Sequence, residues 1–300
     1  MREARLHHLI VLNLGRAGGC GGSAISTTGA KTMISALACR ASPAVATVVR
    51  GYRERTGFSA GSGVVVPLPG RPAQFLEVYL DTPYRVSIDG GVFDATPEAV
   101  VVGPSSRHSA RLLLAGPVAA FHVAFQPTGF QRLFGVGMGQ LSDVAVATGD
   151  LGLKPLDELV DRIRLASDFP SRVRAADHWL AHQLAQARAA EPLDHLARLI
   201  RRTNGAPQVA RMAERLDLSP RQLQRRFIDH VGLTPKLYAR TVRFESVLEA
   251  RERRPDLTWT ALAHRFGYFD QAHLLRDAHA FTGMPPSALV SEAAAMSDSS

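Results

Sequence analysis

Hydrophobic positions change their spacing twice along this chain. Between about Val45 and Phe125 they come in short, Val-rich runs: Gly63-Val64-Val65-Val66-Pro67, Phe75 to Leu80, Ala99 to Gly103, Arg111 to Leu114, and Ala119 to Phe125. Pro67-Leu68-Pro69-Gly70, Ile88-Asp89-Gly90-Gly91 and Ala115-Gly116-Pro117 supply turn residues between them. Short strands at this spacing predict a small barrel or sandwich. Within Phe75 to Tyr84 the alternation places Phe75, Glu77, Tyr79 and Asp81 on one face. Aromatics mixed with two carboxylates suit a small-ligand pocket, or a face turned to solvent or a second subunit.

From about Thr128 to Arg202 the spacing becomes helical. Leu156, Leu159, Val160 and Ile163 form one stripe; Ala176, Trp179, Leu180 and Leu184 form a second; Leu193, Leu196, Leu199 and Ile200 form a third. Pro155, Pro170 and Pro192 mark the helix starts, and Thr203-Asn204-Gly205-Ala206-Pro207 reads as a stop and linker. Residues 1–45 are rich in Gly, Ala, Ser and Thr, which bury too little apolar surface to offset chain entropy. The expected division is a disordered extension over 1–45, a β-rich sensor or dimerisation domain over 46–127 and a helical continuation over 128–204. An all-α domain over 205–290, expected to fold alone, and a disordered tail over 291–300 complete it. The fold class is α+β: a small barrel- or sandwich-like domain with helices, then an all-α tandem helix-turn-helix domain.

That last assignment rests on a repeated pattern. Val209, Met212, Ala213 and Leu216 make a short apolar stripe, and Asp217-Leu218 breaks it. Ser219 is a good N-cap, Pro220 fits the first helical position, and Gln222 completes a capping box. Leu223 and Phe227 point inward at i,i+4, leaving Arg221, Gln222, Gln224, Arg225 and Arg226 outward. Arg and Gln can contact guanine and adenine edges bidentately, so this helix suits a major groove. The layout recurs from Thr258 to Arg276. Ala261, Leu262 and Phe266 line a first helix, Gly267 ends it, and Asp270 caps a second with Gln271, Ala272, His273 and Arg276 outward. Between the units, Pro235 to Arg254 is one long helical stretch with Leu237, Val242, Phe244, Val247 and Leu248 apolar. Two readers on one rigid helix can reach successive major-groove turns of double-stranded DNA.

Residues 207–290 resemble the AraC/XylS type of tandem helix-turn-helix domain. The likeness is carried by Leu218-Ser219, Leu223, Arg225 and Phe227 in the first unit. In the second it is carried by Phe266-Gly267-Tyr268, Asp270-Gln271-Ala272-His273-Leu274 and Phe281-Thr282-Gly283-Met284-Pro285-Pro286. The resemblance implies that Arg221, Gln224 and Arg225 read bases, with Gln271, Ala272, His273 and Arg276 at the matching positions of the second unit. Ala278 departs from the pattern, standing where the family usually has Phe, which implies looser packing there. Val101-Val102-Gly103-Pro104 and Phe121 to Phe130 resemble the sensor-like halves of some members. The implied partners are promoter or operator DNA, RNA polymerase, a small-molecule effector and a second copy of the chain. The expected function is a sequence-specific transcription regulator responsive to a small molecule. A half that only dimerises or contacts polymerase, or an enzyme fused to a DNA-binding domain, are the alternatives.

The formal charge of +8 favours a polyanionic partner, although nearly every basic residue is Arg, as a GC-rich coding bias would also produce. Cys20 and Cys39 have no CxxC or Cys/His company, so neither a disulfide framework nor a zinc site is suggested. His178 and His182 have ligand spacing, but no Glu follows His178 as in HExxH, so no metal is expected. Gly61-Ser62-Gly63 and Gly135-Val136-Gly137-Met138-Gly139 lack the frame of a phosphate loop and read as turns. No G-x-S-x-G elbow occurs, so neither catalytic residues nor a cofactor are expected. No apolar run approaches the ~20 residues that span a bilayer, and with a start that reads as a disordered extension or a start codon called too early, a cytoplasmic location is expected. The first twelve residues only faintly resemble a signal peptide, and Met33 competes with Met1 as the start.

Overall fold

The computed structural model of the chain describes residues 27–29, 32–108, 110–206, 214, 216–254 and 256–284. The Val-rich runs become one antiparallel sheet, nine-stranded among the described residues. Its strands are β1 (Thr27–Gly29), β2 (Thr32–Arg40), β3 (Val49–Leu68), β4 (Phe75–Tyr79), β5 (Arg85–Ile88), β6 (Asp94–Ala95), β7 (Ala99–Val102), β8 (Ala110–Phe125) and β9 (Ala145–Ala147). The order is β1-β2-β3-β8-β4-β7-β9, with β5 also on β8 and β6 beside β5. The sheet does not close on itself, so the architecture is sandwich-like rather than a barrel. β3 and β8 pair as one long ribbon. β4 joins the far half of β8 (Phe75↔Ala124 to Tyr79↔Ala120) and β5 its near half (Arg85↔Leu113 to Ile88↔Ala110).

Two expectations change. Ala115-Gly116-Pro117 is no turn between strands but lies inside β8, with Gly116 at φ +74° opposite Ser59. Facing it, β3 shifts register between Ser59 and Val64, where Gly61 and Gly63 sit at φ +71° and +82°. These bulges let the ribbon bend without breaking. Residues 32–40, expected within the unstructured extension, form β2 and pair with β3 from Thr32↔Ser59 to Arg40↔Gly51. Ile34, Ala36 and Cys39 are buried there, because the neighbouring strand supplies the contacts that a Gly/Ala-rich segment lacks alone. Cys20 and the first 26 residues lie outside the described residues.

One sheet face, with Tyr52, Leu76, Val78, Phe121, Val123 and Phe125, packs on α1 (Gly129–Phe134), α2 (Lys154–Leu165) and α3 (Phe169–Gln186). All of the first predicted helical stripe, and Ala176, Trp179 and Leu180 of the second, are buried in this core. The later helices are α4 (Pro192–Arg202), α5 (Pro220–Val231), α6 (Pro235–Arg253), α7 (Trp259–Arg265) and α8 (Gln271–Thr282). α4 does not join the sheet core. Its Leu193, Leu196, Ala197 and Ile200 share one cluster with Leu223, Phe227 and Val231 of α5 and Tyr238, Ala239 and Val242 of α6. The stretch read as a linker is a tight turn, with Asn204 and Gly205 both at positive φ. A Cβ at Gly205 would lie 2.1 Å from the Ala239 carbonyl oxygen, so only glycine lets the chain pass so close to α6.

Three cores meet on α6. Tyr238, Ala239 and Val242 enter the cluster with α4 and α5. Phe244, Val247 and Ala250 enter another with α7 and α8. Leu248 packs against the second sheet face, beside Tyr79, Tyr84, Val100 and Leu114.

Candidate DNA interface

The first unit's leading stripe at Val209, Met212 and Ala213 lies outside the described residues, whereas Leu216 and Leu218 pack at the edge of the core shared by α4, α5 and α6. Asp217 turns the chain at φ 50°. The expected capping box opens α5: the Ser219 hydroxyl accepts from the Gln222 amide at 3.3 Å, and the Gln222 Oε1 accepts from the Ser219 amide at 2.9 Å. Leu223 and Phe227 are buried, while Arg221, Gln222, Gln224, Arg225 and Arg226 are exposed. Gln222 thus spends its carbonyl on the cap, and Arg226 leans towards Glu191 at 3.8 Å. That leaves Arg221, Gln224 and Arg225 as the outward groups without a side-chain partner among the described residues.

The far end of α5 is docked on the sheet domain. Ser142 Oγ donates to the Gly232 carbonyl, and the short 3-10 turn Met138–Leu141, with the glycine before it, abuts Ile228 and Asp229. Behind it, Arg188 forks onto the buried Asp194 at 2.9 Å through both nitrogens, donates to Gln131 Oε1 at 2.7 Å, and lies 3.3 Å from His230 of α5. Burial disfavours charge on Asp194, yet the Arg188 bonds and the Glu191 amide hold it below the usual carboxylate range.

In the second unit Thr258 caps α7, and Asp270 caps α8 by accepting from the His273 amide at 2.6 Å. Trp259, Leu262 and Ala263 face the core; Ala261, expected inward, is exposed. Ala278 is fully buried in the cluster that also holds Phe244, Trp259 and Phe281. Asp277 pairs with Arg240 at 2.6 Å, fixing α8 to α6. Of the four expected readers, Ala272 and Arg276 are exposed. Gln271 Oε1 accepts from Thr260 Oγ1 at 2.7 Å, and the half-buried His273 ring meets Tyr268 edge-on at 5.2 Å. One residue escaped the sequence analysis: Phe269, just before the cap, is 87% exposed. An apolar residue in that position signals a hydrophobic staple, a role its exposure rules out.

A second cluster lies on the sheet face beneath α6. Phe75, Glu77 and Tyr79 share that face as the alternation indicated, but they are buried, whereas Asp81 is exposed beyond the strand. Glu77 accepts from Arg55 at 2.9 Å and lies 3.2 Å from His122 Nε2. Arg71 covers the Phe75 ring at 4.6 Å. Burial and then the charge of Arg55 push His122 down to about 4, so its ring is neutral at pH 7. Burial alone would raise Glu77, but His122, Arg55 and Arg71 outweigh it and hold the carboxyl down at about 2. Among the described residues no group of three or more His, Cys, Asp or Glu could hold a metal, and no helix is long and apolar enough to cross a membrane.

Residues 212–292 match the family model described as a helix-turn-helix domain. Among solved structures the chain is similar to a lysine-to-alanine variant of apo ToxT from Vibrio cholerae, with 9% identity, 79% of this chain and 96% of that one covered, and a TM-score of 0.46. ToxT bound to (E)-4-(8-methylnaphthalen-1-yl)but-3-enoic acid gives 7%, 81%, 99% and 0.46. The AraC-like transcriptional activator CuxR gives 11% identity, 73% and 81% coverage, and a TM-score of 0.28. A search of curated proteins finds no match. The carboxy-terminal segment is thus a DNA-binding helix-turn-helix domain, and the protein is a transcription regulator. That domain is of the AraC type.

Proposed function

We propose that the protein binds promoter DNA sequence-specifically, presenting α5 and α8 to successive major grooves. The observation that carries this is the exposed amino-terminal face of α5, where Arg221, Gln224 and Arg225 point outward. Guanidinium and carboxamide groups so placed suit guanine and adenine edges. Duplexes selected from a random library by the full chain should outbind scrambled ones by about 1,000-fold or more at physiological salt. Equal affinity for both would overturn the reading.

The sheet domain, in this proposal, conveys an anionic small molecule's presence to the DNA domain. Arg53, Arg55 and Arg71 are buried on or beside the face that meets α6, against Glu77 from the sheet and Glu245 from α6. Beside Glu77, the buried Arg71 Nε has no hydrogen-bond partner among the described residues, which supports a carboxylate or phosphate as the signal. Small carboxylates or phosphates should raise the unfolding temperature of the full chain, and Arg71→Met should abolish the shift. Stabilisation by neutral metabolites alone, or by none, would favour a domain that only dimerises. Exposed Phe58, Val65, Ile88 and Val92 at one end of the sheet support that second reading, which sedimentation of the full chain tests.

A further inference from the structure

We propose that the second unit recognises thymine 5-methyl groups, through the ring of Phe269 and the methyl of Ala272. The inference rests on α8 entering the major groove, and it concerns what that helix reads there.

The residues that open a reading helix come nearest the base edges. Here they are Phe269, the cap Asp270, Gln271, Ala272 and His273. Several of their polar groups are committed inside the protein. Asp270 holds the His273 amide, Gln271 holds Thr260, and the His273 ring rests on Tyr268. Phe269 and Ala272 remain exposed, with Arg276 one turn further on. The Phe269 ring contributes nothing to the core, because Leu274, the staple partner expected for it, is already fully buried in the cluster with Phe244 and Phe281. A bare aromatic ring and a bare methyl at the tip of a reading helix find one apolar complement in the major groove, the thymine 5-methyl group. The two units would then differ in chemistry. α5 presents cations and carboxamides to purine edges, whereas α8 presents apolar surface to thymine.

Deoxyuridine removes only that methyl from a duplex. The full chain would first select its preferred duplex from a random library. The first unit's segment is the part where Arg225→Ala relaxes base preference. In the other segment, single thymine-to-deoxyuridine replacements should weaken binding about 3- to 4-fold at one or two positions, the fold-change of burying one methyl group. The penalty should vanish in Phe269→Ser and persist in part in Phe269→Leu, while both variants unfold at the wild-type temperature. A second segment without thymine, tolerance of uracil throughout it, or an unchanged penalty in Phe269→Ser would overturn the inference and leave the DNA-reading proposal standing. Failure to select any duplex would instead sink that proposal, and this one with it.

Discussion

Glu77 lies between Arg55 and His122, shut away from water with both. Glu77→Gln takes the carboxylate from a buried guanidinium, a kind of change that costs about 3–5 kcal/mol; urea unfolding of the full chain should show the loss. His122 gives the same site a pH dependence. Its folded pKa is depressed to about 4, so between the ordinary histidine value and pH 4 the unfolded chain binds more protons and stability rises with pH. Acidifying from pH 6.5 to 4.5 should therefore cost roughly 2 kcal/mol through this ring. His122→Gln should flatten that slope, whereas the contribution of Glu77 goes only below about pH 4.5, as pH falls towards its own folded value. On the DNA side, Arg225→Ala should cost roughly 1–3 kcal/mol on the selected duplex and less on random DNA. Equal losses on both would mark a phosphate contact. At this scale much was legible. Period-two spacing gave the shared face of Phe75, Glu77 and Tyr79, and helical spacing gave the outward set on α5. What covers the sheet face was not, because α6 arrives from more than a hundred residues away.

Among the elements, α4 shows where local pattern stops being informative. Its stripe and its opening Pro192 are plain in the sequence, but a stripe names no partner. Asn204-Gly205 resembles a linker because the same positive-φ residues serve flexible joins and tight turns alike. A fragment starting at residue 205 would lose Leu193, Leu196, Ala197 and Ile200 from its core. Truncating a single buried leucine to alanine costs about 2–5 kcal/mol, and whole domains hold only about 5–15 kcal/mol. Residues 205–300 should therefore be unfolded by circular dichroism, and residues 188–300, which keep α4 and Arg188, should melt cooperatively. Two equally folded fragments would show that α4 is dispensable. The bulged ribbon makes the same point. Gly116 beside Pro117 carries turn chemistry, and only the register opposite β3 turns it into a bend within a strand.

At the scale of the molecule, the DNA domain is held at several points. Gly70 donates to the Phe281 carbonyl at 2.6 Å, and Leu248 packs against the sheet's second core. Arg201 and Glu245, paired at 2.8 Å, brace α4 against α6. Leu248→Ala should cost about 2 kcal/mol and change affinity for the selected duplex, because its side chain packs against both the sheet's second core and the core of α7 and α8. Unaltered DNA binding in that variant would show that the sheet does not govern the readers. α6 also acts as a lever. At 19 residues it is roughly 28 Å long, and each end is packed into a different unit. A tilt of about 5° would carry one end some 2.5 Å relative to the other, as much as most of a hydrogen bond's length. The protein would then lose its promoter by phase error between two intact reading heads, as a vernier loses coincidence, with neither head unfolding or letting go of its own core.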